Sequence, residues 1–327
     1  MTITITAPKF PLAAIWEVTQ QCNFQCEHCS SSAGQESGEK ELSPAKALDL
    51  IEELATFLQV YRLVISGGEP LLRRDVFAIM RKASEYGLKV SLFTNGTLLT
   101  DPLLDQLDDI ALDYLQIGLP DMPSANDSPF LKISDTIKNA QSHTYNVGVS
   151  VPVHKKTFQK VVHNINILLD LEIDSLCLSR FVPTGRGALF AEDLVLSLKQ
   201  RKKLALLGHN LREQGYTIIL DEPLTDPYGC QAGITLCGIS SAGDVYPCPL
   251  LRKSIGNVTV SPITELWQKS QLIADLKKRH LKGHCGACDL KATCGGCRSL
   301  AFYTTGDCLA ADPQCWLNPL HHTEDSF

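Results

Sequence analysis

Residues 13–30, AAIWEVTQQCNFQCEHCS, join a short apolar run to three cysteines, Cys22, Cys26 and Cys29. The run 14–18 reads as a strand, too short and too apolar for a surface helix. Thiolates set three and then two residues apart can hold three corners of a four-iron cluster and leave the fourth iron without a protein ligand. A fully ligated cluster only moves electrons, whereas an open iron can hold and activate a small molecule.

Outward from this stretch, strand-like and helix-like runs alternate. Strands are expected at 14–18, 62–66, 89–93, 114–118, 147–152 and 175–180, and helices at 44–58, 75–86, 101–107, 128–142 and 156–171. Ser43 and Pro44 supply an N-cap and a first helical residue, without the Glu or Gln that would complete a capping box. Repeated βα units imply parallel strands with helices outside. Six units predict an α/β fold, a partial (β/α)6 TIM-like barrel rather than a closed eight-fold one. Chemistry in such folds gathers at the C-terminal ends of the strands, where the cysteine triad falls. A helical stretch at 196–214 leads out of the barrel. From about residue 225 the chain turns rich in Cys, Gly and Pro, with short strands expected at 244–246 and 257–260. The expected organisation is a barrel over 11–215 and a small Cys-rich domain over 225–320, the latter stabilised by metal clusters instead of a large core.

Composition narrows the class further. Of 327 residues, 44% are hydrophobic and 20% charged, as in ordinary globular proteins. A net charge of −6 offers no case for gripping nucleic acid, and no run approaches the roughly 18 apolar residues of a membrane span. The opening MTITITAPKF lacks the basic region and apolar core of a secretory signal. A cytoplasmic protein with no nucleic-acid or membrane partner is expected. The 13 cysteines fall as three at 22–29, Cys177 alone, and nine between 230 and 315. In a reducing compartment such clusters read as metal ligands, and the odd total suits disulfide pairing poorly.

Glycine-rich turns end the next two strands. Ser66-Gly67-Gly68-Glu69-Pro70 lets the backbone approach a ligand closely, and Glu69 adds a carboxylate suited to an ammonium. Thr94-Asn95-Gly96 follows the third strand. Singly, each is an ordinary strand-ending turn. In this order, the cysteine triad, GGEP and TNG resemble the radical S-adenosylmethionine (SAM) enzymes over residues 11–190. The resemblance implies that Cys22, Cys26 and Cys29 bind a [4Fe–4S] cluster whose open iron takes the amino and carboxylate groups of SAM. It implies that Gly67, Gly68 and Glu69 contact that amino group, and that His28 is the adenine-side contact; a solvent-facing loop histidine is the plain alternative. Reductive cleavage of SAM to methionine and a 5′-deoxyadenosyl radical would follow, with hydrogen abstraction inside a barrel that excludes solvent. Asn95, Ser150 on the fifth strand and Arg180 at the end of the sixth are further candidate contacts to SAM, and Arg180 equally suits a structural ion pair. Where the family often reads SLDG after strand four, Gly118-Leu119-Pro120-Asp121 stands here, so a ribose or substrate contact lacks its usual serine.

The second half gives a separate signal. Cys285-Gly286-Ala287-Cys288 precedes Cys294-Gly295-Gly296-Cys297 and then Cys315, with Cys230 and Cys237 ahead of the segment 243–248, GDVYPC. This resembles the SPASM extension of radical SAM enzymes, which carries two auxiliary iron–sulfur clusters. The resemblance implies Cys230, Cys237, Cys248 and Cys297 around one [4Fe–4S] cluster and Cys285, Cys288, Cys294 and Cys315 around the other. Two residues separate Cys294 from Cys297 where the pattern often has three, so the partition stays open. Structural zinc is the competing reading of paired CxxC units. Cys308 is left over: a substitute for Cys315, a catalytic hydrogen donor to a substrate radical, or inert. Cys177 reads as barrel-lining, and the run 277–280, KKRH, with His321 and His322, as solvated surface.

The resemblance implies an oxidoreductase that abstracts hydrogen from a substrate carbon, the favoured substrate being a ribosomally synthesised peptide that is oxidised, cross-linked, epimerised or cleaved. Auxiliary clusters that accept an electron favour net oxidation. Few residues precede the first strand, so a separate leader-recognition protein is expected, with a flavodoxin- or ferredoxin-type electron donor. Tetrapyrrole side-chain modification is the alternative, because VPTGRG at 182–187 and CGGCR at 294–298 also resemble alternative haem-pathway enzymes. A small-molecule radical dehydrogenase is a third reading. A non-catalytic iron–sulfur electron carrier is a fourth, but a carrier has no use for an open iron beside GGEP.

Overall fold

Alternate residues of the apolar runs face a single core: Ala14, Trp16 and Val18, then Leu63 and Ile65, then Val90 and Leu92 are all buried in it. In the computed structural model, which describes residues 7–35, 41–124, 128–220, 222–226 and 228–318, these runs become β1 (Ala13–Thr19), β2 (Arg62–Gly67) and β3 (Lys89–Thr94). They continue as β4 (Tyr114–Gly118), β5 (Asn146–Val153) and β6 (Ser175–Arg180). Each neighbouring pair from β1 to β6 is parallel, which is the partial barrel that the βα repeat predicts.

Four further strands extend the sheet. β7 (Ile218–Leu220) adds parallel to β6, and β8 (Leu236–Ile239) adds parallel to the other side of β1, pairing Ala13 with Leu236 and Trp16 with Ile239. β9 (Asp244–Tyr246) and β10 (Gly256–Asn257) then turn back antiparallel. The order is β10-β9-β8-β1-β2-β3-β4-β5-β6-β7. One sheet therefore runs through both the barrel sequence and the Cys-rich sequence. The expected strand at 257–260 shortens to β10, because the Val258 and Val260 amides bond to Gly243 O and Asn257 O in a turn.

The helices of the barrel sequence are α1 (Pro44–Glu52), α2 (Val76–Glu85), α3 (Asp101–Asp109), α4 (Ser128–Ala140), α5 (Phe158–Asn164), α6 (Asn166–Leu169), α7 (Ala191–Leu194) and α8 (Leu198–Glu213). Those beyond it are α9 (Ile263–Lys269), α10 (Gln271–Lys277), α11 (Gly283–Ala287) and α12 (Arg298–Thr305). The stretch 156–171 holds two helices, not one. Ser43 caps α1 by accepting from Lys46 N at 3.3 Å. The helix expected to reach residue 58 ends at Glu52 and goes on as a π turn over Glu53–Phe57. That extra turn lets Glu53 accept the first amide of α9, Ile263 N, at 2.9 Å. No helix among the described residues is long and apolar enough to cross a membrane.

At the start of α8 the capping box is complete: Ser197 Oγ accepts from Gln200 N at 3.2 Å, and Gln200 Oε1 accepts from Ser197 N at 3.0 Å. Ser197→Ala is expected to cost about 1 kcal/mol, read as a lower urea midpoint. An unchanged midpoint would show that the cap contributes nothing.

Candidate active site and cysteine cavities

The cysteine loop is pinned from three sides. At its base Gly34 N donates to Gln20 O at 3.0 Å and Cys22 N donates to Gly34 O at 3.2 Å, closing residues 22–33 into a loop. Along one flank the β1–β2 ladder continues beyond β2, with Gly68 N on Thr19 O and Glu69 N on Gln21 O, both at 2.8 Å. Any side chain at Gly68 would collide with the Gln21 carbonyl. The second glycine of GGEP is thus required by the approach of two backbones. Along the other flank lies the VPTGRG segment, where Arg186 Nε donates to Cys26 O at 2.8 Å and Gly187 N donates to Cys29 O at 3.1 Å.

These contacts frame a cleft of about 310 Å³ at the C-terminal ends of the strands. Cys22, Cys26, His28, Cys29, Gly67, Gly68, Asn95, Ser150 and Arg180 all line it. Burial foremost pushes the Cys22 and Cys26 thiols up, and neighbouring thiolates push the same way. Thiolates that repel one another are stabilised by a metal cation, and the three form a donor set suited to iron. Asn95 ties the loop to the third strand: its Nδ2 donates to Asn23 Oδ1 at 2.7 Å, and Asn23 Nδ2 donates to Thr97 Oγ1 at 2.8 Å.

Glu69 lies behind the cleft wall, fully buried. Its carboxylate accepts from Leu71 N at 3.1 Å, Thr94 Oγ1 at 2.7 Å and Asn95 N at 2.8 Å. Burial raises its pKa while these three bonds pull it down. A carboxylate accepts about four hydrogen bonds, and no cation of the chain pairs with this one among the described residues. One acceptor position on this buried carboxylate thus remains unused among the described residues.

His28 is half-buried and meets His154, just past β5, at a ring-centroid distance of 5.6 Å. Burial, then the His28 ring, lowers the His154 pKa to about 4, and burial lowers that of His28. Both rings are neutral at neutral pH, as a flat, uncharged stacking surface requires. Arg180 lines the cleft and lies 3.6 Å from Glu222. Cys308 is buried, is absent from the cleft lining, and lends its carbonyl to Arg298 Nη1 at 3.0 Å. Cys177 is buried on β6.

Among the C-terminal cysteines, Cys285, Cys288, Cys294 and Cys315 line one small cavity together with Arg201 and Asp312. Of the other set, Cys237 is fully buried on β8, where burial pushes its thiol up to about 12. Cys230 N donates to Cys294 O at 2.8 Å, and Cys248 follows β9. Among the described residues, no three Cys, His, Asp or Glu side chains converge tightly enough to share a single ion.

The run 277–280 is not simply solvated surface. Lys277 Nζ donates to Lys9 O at 2.6 Å and sits 5.8 Å from the Trp267 ring centre. The Arg279 guanidinium packs against Gly295; only Lys278 and His280 are exposed. His321 and His322 lie outside the described residues. Sequence reasoning also missed His154, Arg201 and Arg298. The one signal for Arg298 was its place immediately after CGGC.

The family model of the radical SAM superfamily matches residues 16–186. The chain belongs to that superfamily. A second match, to the SPASM iron–sulfur cluster-binding domain, covers residues 230–297. This radical SAM enzyme therefore uses a [4Fe–4S] cluster and SAM, with auxiliary iron–sulfur clusters in its C-terminal part. Among its relatives is the AdoMet-dependent heme synthase of Methanosarcina barkeri, 28% identical, with 96% of this chain and 99% of the relative covered. The PqqA peptide cyclase of Bradyrhizobium diazoefficiens is also 28% identical, with 97% and 90% covered. In fold, the chain is similar to SuiB of Streptococcus suis bound to precursor peptide SuiA, with a TM-score of 0.75, 17% identity, and 95% and 77% covered.

Two outcomes are expected. Gly68→Ala should cost the N-terminal cluster, read as iron and sulfide lost from that site while auxiliary-cluster absorbance stays; full iron content would refute the close-approach argument. Because the folded His154 pKa lies at about 4, below the ordinary 6.5, the unfolded chain takes up the proton first. The stability His154 leaves intact above pH about 6.5 should fall as the pH drops toward 4. His154→Phe should flatten the slope of Tm over that window, and an unaltered slope would count against it.

Proposed function

We propose that this radical SAM/SPASM enzyme is an oxidoreductase acting on a carbon of a ribosomally synthesised peptide. The observation that carries the substrate class is the charge state of the cleft wall. Its two arginines are largely engaged: Arg180 with Glu222, and Arg186 with Cys26 O. Arg186 Nη2 is buried and has no hydrogen-bond partner among the described residues. The remaining polar lining includes the uncharged Gln116, Ser150 and Ser179, which suit amide groups. A tetrapyrrole with several carboxylates would call for more unengaged cations. Similarity to a named peptide cyclase supports this reading, although heme synthases are no more distant.

When bound, the cluster and SAM supply hydrogen-atom abstraction from an unactivated carbon. In this reading Cys22, Cys26 and Cys29 hold the cluster, and Gly67 and Gly68, with Glu69 behind them, meet the ammonium of SAM. Asn95, Ser150 and Arg180 are further contacts, and His28 flanks the adenine with His154 behind it. Phe24, Phe93, Phe181 and Leu250 on the cleft wall limit water around the reacting carbon. Cys230, Cys237, Cys248 and Cys297 would hold one auxiliary cluster and Cys285, Cys288, Cys294 and Cys315 the other. Residues 11–215 and 225–320 form the two domains in this proposal, joined through the common sheet. A separate leader-recognition protein and a flavodoxin- or ferredoxin-type donor complete the system.

The test is anaerobic incubation of the reconstituted chain with dithionite and SAM, offering either any short precursor peptide that the neighbouring genes prove to encode or an iron coproporphyrin. Loss of hydrogen from the peptide is the expected result. Turnover of the porphyrin with release of carbon dioxide, and none of the peptide, would overturn the peptide reading. Cys26→Ala should abolish SAM cleavage and leave auxiliary-cluster absorbance intact; retained cleavage would contradict the triad assignment.

A further inference from the structure

Four arginines stand around the C-terminal cysteines, and they differ in how their charge is met. Arg201 is balanced, with Glu222 at 2.5 Å and Asp312 at 3.1 Å, and Arg180 lies 3.6 Å from Glu222. Arg279 and Arg298 have no carboxylate within ion-pair distance among the described residues. Arg298 is 1% exposed. It donates to Gly296 O at 3.3 Å, Cys308 O at 3.0 Å and Ala310 O at 2.5 Å, and its Nη2 lies 3.7 Å from Cys285 Sγ. The Arg279 guanidinium packs on Gly295, next to Cys294, whose carbonyl accepts from Cys230 N at 2.8 Å; burial works against its charge, and the groups that favour it are the Cys230 and Cys294 sulfurs.

The two glycines of CGGC make both placements possible. A side chain at Gly295 would collide with the Arg279 guanidinium, and a Cβ at Gly296 would stand 2.8 Å from Arg298 Nη2 and 3.1 Å from Cys285 Sγ. Burying guanidiniums without a counter-charge is costly. Thiolate-ligated iron–sulfur centres are anionic, so they supply the missing charge. Each one-electron reduction adds a further negative charge, and a fixed cation nearby stabilises that reduced form. Two amides act in the same sense: Asp312 N donates to Cys285 Sγ and Gly296 N donates to Cys294 Sγ, each at 3.3 Å.

We propose that Arg279 and Arg298 are positioning residues that raise the reduction potentials of the auxiliary centres, Arg279 through Cys230 and Cys294, Arg298 through Cys285. Neither reaches the cleft, so the inference stands whatever the substrate. The consequence is a pair of centres tuned to accept electrons.

The experiment is an EPR-monitored redox titration of the reconstituted full-length chain, without substrate, with SAM added to mark the N-terminal signal. Arg279→Gln is compared with Arg279→Lys, and Lys278→Gln, an exposed neighbour, serves as control. A more negative auxiliary midpoint in R279Q is expected, with R279K and K278Q at the parent value and iron content unchanged. Equal midpoints in all forms, equal shifts in R279Q and R279K, or loss of iron from R279Q would overturn the proposal.

Discussion

Two peptide N–H groups, those of Gly68 and Glu69, reach beyond β2 to the carbonyls of Thr19 and Gln21. These bonds bring the GGEP turn against the root of the cysteine loop. Because the Glu69 backbone is fixed there, its side chain is aimed inward, where it collects Leu71, Thr94 and Asn95. Asn95 in turn reaches back to Asn23, inside the loop. The ends of the first three strands are thus locked by one closed circuit of hydrogen bonds, and a buried carboxylate is held close enough to Cys22 to act on its thiol. Preorganisation of this kind removes reorganisation from the moment of reaction.

A second circuit connects the cleft to the C-terminal cysteines. Arg180 at the cleft wall meets Glu222, Glu222 meets Arg201, and Arg201 meets Asp312, whose carboxylate accepts from Cys297 N at 2.8 Å. Two cations and two anions make this buried group neutral overall. Such networks add little net stability over apolar packing but punish any rearrangement that strands a charge. Here that fixes the spacing between the cleft and the cavity lined by Cys285, Cys288, Cys294 and Cys315.

Legibility in the sequence tracked how local the physics was. β1 to β6 could be read because apolar runs of five to eight residues end in glycine, proline or polar turns. β8, Leu-Cys-Gly-Ile, could not, since a four-residue strand broken by glycine forms only because β1 offers it a partner. The cysteines announced themselves by spacing. His154 and Arg201 carried no such mark, as their partners, His28 and the Glu222–Asp312 pair, come from distant segments. Arg279 was misread for the opposite reason: a run of four basic residues looks wet, and only the turn at Gly295 reveals that one of them faces inward.

The pairing of β1 with β8 bears on how the chain is made. Ala13 emerges from the ribosome long before Leu236, so the nascent barrel carries β1 with one rank of amides and carbonyls exposed, a template for intermolecular pairing. Contacts so distant in sequence form late. Synthesis is therefore a race between completing the C-terminal strands and losing the half-made enzyme to aggregation.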